Sequence, residues 1–275
     1  MTLVAVWKSH GRLMAIADTR LIRDAGNVLT EHGPKLLPLP IVCRQPGPDG
    51  FFSSIVHSKN VGFAYCGSTL SALSAHALAS VMFSNLIGTP ATPPPSLEEL
   101  ASSFAGIALE YIREVGQLAG YRGQFSAVIF GFCEHKQALR GFEIKPRIEK
   151  GQIFVDSIER DMTLDNAIVV IGSNPKLLLD RIDEDRRARG DASPIVARDR
   201  PTRALQSIIV DGADDSVGGT IQQGWATPVG FEIVAKLMPI VPLPPSTRNA
   251  GLFVLGFDIT ETQLIGAHKV SLVGL

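Results

Sequence analysis

Met1-Thr2-Leu3-Val4-Ala5-Val6-Trp7 passes through Lys8-Ser9-His10-Gly11-Arg12 into Leu13-Met14-Ala15-Ile16-Ala17-Asp18. Two apolar segments joined by a Ser-His-Gly turn predict a hairpin of two strands that begins at Thr2. A terminal strand paired into a sheet is tied down where a free terminus would fray. If Met1 is removed, Thr2 presents an α-amine beside its own hydroxyl, so one residue supplies both a base and a nucleophile.

Working outward, Asp18 closes the second strand sixteen residues after Thr2. In an antiparallel hairpin the start of the first strand lies opposite the end of the second, which makes Thr2 and Asp18 expected neighbours. Lys35 stands on the next short segment. A lysine paired by Asp18 would bring positive charge to the threonine hydroxyl, favour its alkoxide and depress a nearby amine. An α-amine titrates at roughly 7.7–8.0, so a small depression makes it a competent base near neutrality. With Met1 retained, the Thr2 nitrogen is an amide and that base does not exist.

The 275 residues suffice for a substantial core. A hydrophobic share of 45% against 19% charged residues describes a globular chain and excludes a disordered one. The net charge of −1 gives no basic field for nucleic acid or an anionic membrane. Cys43, Cys66 and Cys133 are isolated and odd in number, which argues against a disulfide framework or a zinc site. With no signal-peptide pattern before the first strand, a reducing, cytoplasmic setting is expected. The stretch 60–97 holds no Asp, Glu, Lys or Arg, but glycines, serines, His76 and Asn85 interrupt it, so a buried helix is expected there and not a membrane span.

Further along, Pro34, Pro38 and Pro40 allow a short edge strand. Alternating segments follow at Phe51–Val56 and Val61–Cys66. Gly67 ends the latter, and Ser68 or Thr69 caps a helix reaching about Ile87. Ser96-Leu97-Glu98-Glu99 matches a capping box for a helix ending near Gly116. Strands are expected at Phe125–Cys133, Ala138–Ile144, Gln152–Val155 and Ala167–Ile171. Asn174-Pro175 then starts a helix, and another spans Thr202 to Asp211. Strands at Thr220–Ala226, Phe231–Ala235, Leu252–Asp258 and Gln263–Lys269 complete the series. Strands and helices in blocks argue an α+β fold with stacked sheets and helices outside.

The set Thr2-x-Val4, Ala17-Asp18-Thr19-Arg20, Lys35 and Gly67 before an apolar helix resembles the proteasome β-type subunits and their bacterial relatives, N-terminal nucleophile (Ntn) hydrolases. The Thr-to-Lys spacing is one residue longer than theirs. Ile171-Gly172-Ser173 resembles their Gly-Ser-Gly segment, and Asp214-x-x-Val217-Gly218-Gly219 their Asp-x-x-Ser-Gly-Gly. The resemblance implies a four-layer αββα sandwich, two antiparallel sheets between helical layers, that hydrolyses peptide or other amide bonds. In it Thr2 is the nucleophile and, through its amine, the proton acceptor. Asp18 and Lys35 orient and charge the site, the Gly67 N–H donates to the oxyanion, and Ser173 and Asp214 support them. It also implies a homo-oligomer, in relatives of this type a ring. One domain over 1–275 is expected, with 236–275 an extension packing on it.

Two positions depart from that pattern. Asn174-Pro175 replaces the glycine after Ser173, and Val217 stands where a serine is usual. Ser216 is one residue away, and on a strand that offset would turn its side chain to the other face. Cys66-Gly67-Ser68 lacks the elbow of a serine hydrolase, the histidines show no metal-ligand spacing, and Gly172-Ser173-Asn174-Pro175 lacks the ending of a phosphate loop. No cofactor or metal is expected, and neither nucleic acid nor membrane as a partner. The rival to a threonine hydrolase is a non-catalytic scaffold or assembly subunit on the same sandwich, and a third reading is a small-molecule amidase.

Overall fold

His10 and Gly11 both have positive φ, 51° and 72°, the two-residue turn whose twist suits a tight hairpin. They join β1 (Leu3–Ser9) to β2 (Arg12–Asp18), paired with Val4 opposite Ala17. The computed structural model describes residues 2–24, 27–89, 91–165, 167–190 and 193–235, and the backbone of 236–239, 250–254, 257–258, 264–265 and 268–269. Met1 lies outside the described residues, as does most of the expected extension over 236–275.

After the hairpin come β3 (Leu21–Asp24), β4 (Asn27–Thr30), β5 (Leu36–Gln45) and β6 (Ser54–Gly67). Then follow α1 (Thr69–Phe83), β7 (Leu86–Ile87), α2 (Leu97–Ala119), β8 (Phe125–Cys133), β9 (Ala138–Glu149), β10 (Gln152–Arg160) and β11 (Ile168–Gly172). The helices α3 (Pro175–Arg189), α4 (Pro194–Arg198) and α5 (Arg200–Asp211) precede β12 (Ile221–Thr227) and β13 (Gly230–Val234). Short strands β14 (Lys236–Pro239), β15 (Ala250–Val254), β16 (Phe257–Asp258), β17 (Leu264–Ile265) and β18 (His268–Lys269) end the described chain.

One sheet has the order β11-β1-β2-β12-β13 and the other β10-β9-β8-β6-β5-β7. Every neighbouring pair in them is antiparallel except β5 with β7. Three apolar layers show how they stack. Val4, Val6, Leu13, Ala15 and Ala17 meet Ala64, Val128 and Phe130 between the sheets. Their alternates Leu3, Ala5, Trp7, Met14 and Ile16 meet Leu178, Ile182, Leu205 and Ile208 of α3 and α5. On the far side Phe63, Tyr65, Phe125 and Ile129 pack against Ala72, Ala75, Leu100 and Phe104 of α1 and α2. Because β1 and β2 are apolar on both faces they belong in the interior, and the result is the four-layer αββα sandwich.

Boundaries differ from the sequence reading where tertiary pairing extends an element. The two segments expected around 51–66 are one strand, β6, since β5 pairs along it from Gln45 to Leu36. Pro38 and Pro40 sit in β5 opposite Gly62 and Asn60, and β7 covers its other edge only at Cys43 and Arg44, so the prolines need donate no ladder bond there. α1 stops at Phe83, four residues early, with Ser68 as its N-cap. Ser96 and Glu99 form the expected capping box, but α2 continues past Gly116 to Ala119.

Candidate functional site

At one end of the sandwich the hairpin register brings Asp18 to the start of β1. Its Oδ1 accepts the Leu3 N–H at 3.0 Å. Its Oδ2 accepts the N–H of Arg20 and of Gly218, each at 3.2 Å, and the Lys35 Nζ at 2.9 Å. Lys35 Nζ also donates to the Arg20 carbonyl at 2.5 Å. Both side chains of the ion pair are 0% exposed. Burial, the larger influence on each, holds the Asp18 carboxyl above the ordinary carboxylate range and the Lys35 ammonium below the ordinary lysine range. Their mutual attraction and hydrogen bond oppose both displacements.

Thr2 itself is buried, at 3% exposure. Its carbonyl accepts the Ser173 N–H at 2.9 Å, and Leu3 pairs with Gly172. Gly172 permits this close approach: its φ is +145°, and a Cβ there would stand 2.0 Å from the Thr2 carbonyl oxygen. A cavity of about 190 Å³ opens beside Thr2, lined by Cys66, Gly67, Gln124, Phe125, Ser126, Pro146, Gly172 and Ser173. Gly67 ends β6 with φ +101°, where a Cβ would meet the Gln124 carbonyl oxygen at 2.7 Å. Burial pushes the Cys66 thiol up to about 12, so it lines the cavity as a neutral group.

A second polar cluster closes the cavity at Ser173. Its Oγ donates to Asp214 Oδ2 at 3.0 Å and lies 3.1 Å from Ser216 Oγ. Asp214 Oδ1 accepts both the Ser216 N–H, at 2.9 Å, and the Ser216 hydroxyl, at 2.5 Å. Burial alone would raise Asp214, but the bonds from Ser216 and Ser173 outweigh it and hold the carboxyl below its usual range. This corrects the expectation that Ser216 faces away. It lies in a turn before β12 and not on a strand, so alternation does not govern it. Val217 instead packs in the apolar layer with Leu178 and Leu205. Asn174 caps α3 by accepting the Leu177 N–H.

The structure thus gathers all six residues singled out from the sequence, in two linked groups: Asp18 with Lys35, and Thr2, Gly67 and Ser173 around the cavity with Asp214 behind. Sequence reasoning missed the supports. Arg20 donates to Glu31 at 3.0 Å and to the Asp215 carbonyl at 3.1 Å. The Thr19 hydroxyl donates to the Glu31 carbonyl and accepts the Thr220 N–H. Gln222, 1% exposed, holds the backbone at Lys35. A glutamine that alternates with Gly224 and Ala226 on the inward face of β12 was the signal available for the last.

The fold is similar to that of Anbu (ancestral beta-subunit) from Yersinia bercovieri. The TM-score is 0.52 at 17% sequence identity, over 84% of this chain and 82% of that one. No family model and no curated protein sequence matches the chain. These findings overturn the proteasome β-type subunits as its family. A solved structure that it resembles is an Anbu, a distinct branch, at an identity that shows the proteasome-like fold alone. No helix among the described residues is long and apolar enough to cross a membrane, and none of their His, Cys, Asp and Glu side chains form a group able to hold a metal ion.

Proposed function

We propose that the chain is a threonine-type hydrolase of peptide or other amide bonds, acting through Thr2 once Met1 is removed. The observation that carries this reading is the fully buried Lys35–Asp18 pair, bonded to the amide immediately after Thr2. Breaking a buried ion pair costs far more than an apolar replacement of it, so stability alone is a poor reason to keep one bonded to the amide that follows Thr2.

In the proposed reaction the Thr2 hydroxyl oxygen attacks the amide carbonyl carbon while its proton passes to the Thr2 α-amine. The oxyanion that forms accepts the Gly67 N–H. The carbon–nitrogen bond breaks as the ammonium returns the proton to the leaving nitrogen, and the acyl group remains as an ester on Thr2. Water, deprotonated by the same amine, then hydrolyses the ester and frees the hydroxyl. Lys35 favours the alkoxide by its charge. Ser173 and Asp214, with Ser216, order the opposite wall.

The test is Thr2→Ala against a panel of peptide and non-peptide amides. Loss of all turnover with unchanged thermal melting supports the reading, and preference within the panel separates a peptidase from a small-molecule amidase. A wild type that keeps Met1 and turns over nothing overturns it and leaves a non-catalytic assembly role. We take 236–275 as an extension of a single domain and place the protein in the cytoplasm, consistent with its three free cysteines. The charge-free helix α1 exposes Leu70, Leu78, Val81 and Met82, which supports a homo-oligomer.

A further inference from the structure

Strand pairing at Lys35 is incomplete: its carbonyl accepts the Tyr65 N–H of β6 at 3.1 Å, while its own N–H meets a side chain. β5 begins only at Leu36, β7 reaches β5 only at Cys43 and Arg44, and the residues just before Lys35 are irregular. One side chain supplies the bonds that this single contact with β6 leaves open. Gln222 Oε1 accepts the N–H of Lys35 at 3.0 Å and of Leu36 at 2.9 Å, and its Nε2 donates to the Gly33 carbonyl at 2.5 Å. Gln222 belongs to β12 in the other sheet, opposite Ala17 of β2. By alternation it shares the inward face with Ala226, within the apolar layer between the sheets.

Two polar contacts therefore bridge the sheets at this end. Asp18 holds the Lys35 ammonium and Gln222 holds the Lys35 backbone, and Asp18 and Gln222 stand on neighbouring strands. In an apolar layer an amide side chain with unmet partners is expensive. Here each polar atom of the Gln222 side chain has a partner, which gives the clamp a single geometry.

We propose that Gln222 is a positioning residue for the hydrolysis assigned above, setting the Lys35 ammonium against Asp18 by clamping the backbone from Gly33 to Leu36. The inference rests on the threonine-hydrolase reading for its catalytic consequence, and on structure alone for the placement of Lys35.

The experiment compares wild type, Gln222→Met and Gln222→Glu, each labelled with ¹³C at the lysine ε-carbon. The Lys35 signal is assigned by its disappearance in Lys35→Arg. Methionine has the length of glutamine and makes none of its three bonds. The expected result is a displaced or broadened Lys35 signal in Gln222→Met, with the other lysine signals unmoved. It is accompanied by a fall in kcat on the order of 10²-fold, the scale of a small misplacement, at nearly constant KM. A protonated glutamic acid can make all three bonds, so Gln222→Glu is expected to return the signal to its wild-type position at pH 5. Should Gln222→Met fail to fold, Gln222→Glu decides, by the return of its Lys35 signal on going from pH 8 to pH 5. A Lys35 signal indifferent to these changes overturns the proposal, as does a rate loss with Lys35 unmoved. A wild type without turnover refutes the hydrolase reading, and the Lys35 signal still decides the placement.

Discussion

Replacing Lys35 by methionine removes the cation and leaves Asp18 buried with the N–H groups of Leu3, Arg20 and Gly218 as donors. Removing one member of a buried pair costs about 3–5 kcal/mol. Because the amide donors remain, we expect the lower end, about 3 kcal/mol at pH 8. For a chain of this size that is a fall in Tm of roughly 6–12 °C. The pH dependence has a definite sign. Burial already holds the Asp18 carboxyl above its ordinary range, and Lys35 is the chief influence lowering it, so the variant's carboxyl goes higher still. A folded-state value above the unfolded one contributes stability that is fully present below about pH 3.9. It is lost as the pH rises through the folded value. The variant's deficit therefore widens between pH 5 and pH 8. Urea denaturation followed by circular dichroism at both values, for wild type and Lys35→Met, measures it. Equal stability of the two proteins at pH 8, or a deficit that shrinks as the pH rises, would refute the account of Asp18 as a carboxylate whose charge Lys35 sustains.

Other perturbations read different parts of the site. Gly172→Ala forces a Cβ against the Thr2 carbonyl, so labelling of Thr2 by a peptide epoxyketone should slow on the order of 10²-fold; an unchanged rate would show that this contact does not place Thr2. Ser216→Ala takes away the hydroxyl bond that is the largest influence lowering Asp214, and leaves the backbone N–H bond in place. A depressed carboxyl stabilises above its unfolded value and ceases to as the pH falls through its folded one. The stability gap between wild type and Ser216→Ala, measured in urea, should thus be open at pH 7 and close below about pH 4. Val81→Glu puts a charge on the exposed face of α1 and should lower the assembly mass in light scattering, while unchanged mass would move the interface elsewhere.

The hairpin, its turn and the burial of both its faces were legible because unbroken apolar runs at the chain start admit few alternatives. The capping box at Ser96 and the Asn174-Pro175 start were legible because capping chemistry is local. The placing of Asp18 at the start of β1 followed from register once β1 and β2 were read as a hairpin; Lys35 lies just before β5 of the other sheet, and only the resemblance tied it to Asp18. Ser216 was misread because strand alternation was applied to a residue that belongs to a turn. The role of Gln222 was not legible because it depends on two sheets meeting face to face, which no local window contains; its position on the inward face of β12 was the sole hint. The resemblance to the proteasome β-type subunits reached too far: a short ordered set of residues carries it, and the comparison supports the fold alone.

The central claim is that Thr2 carries a free amine and hydroxyl that act together. The intact mass of the purified protein, before and after incubation with a peptide epoxyketone, tests it most directly, because that reagent closes a stable ring only on an amine and an adjacent hydroxyl. The account predicts a chain lacking Met1 whose mass rises by one reagent, with no rise in Thr2→Ala. A chain that retains Met1 and takes up no reagent would contradict it.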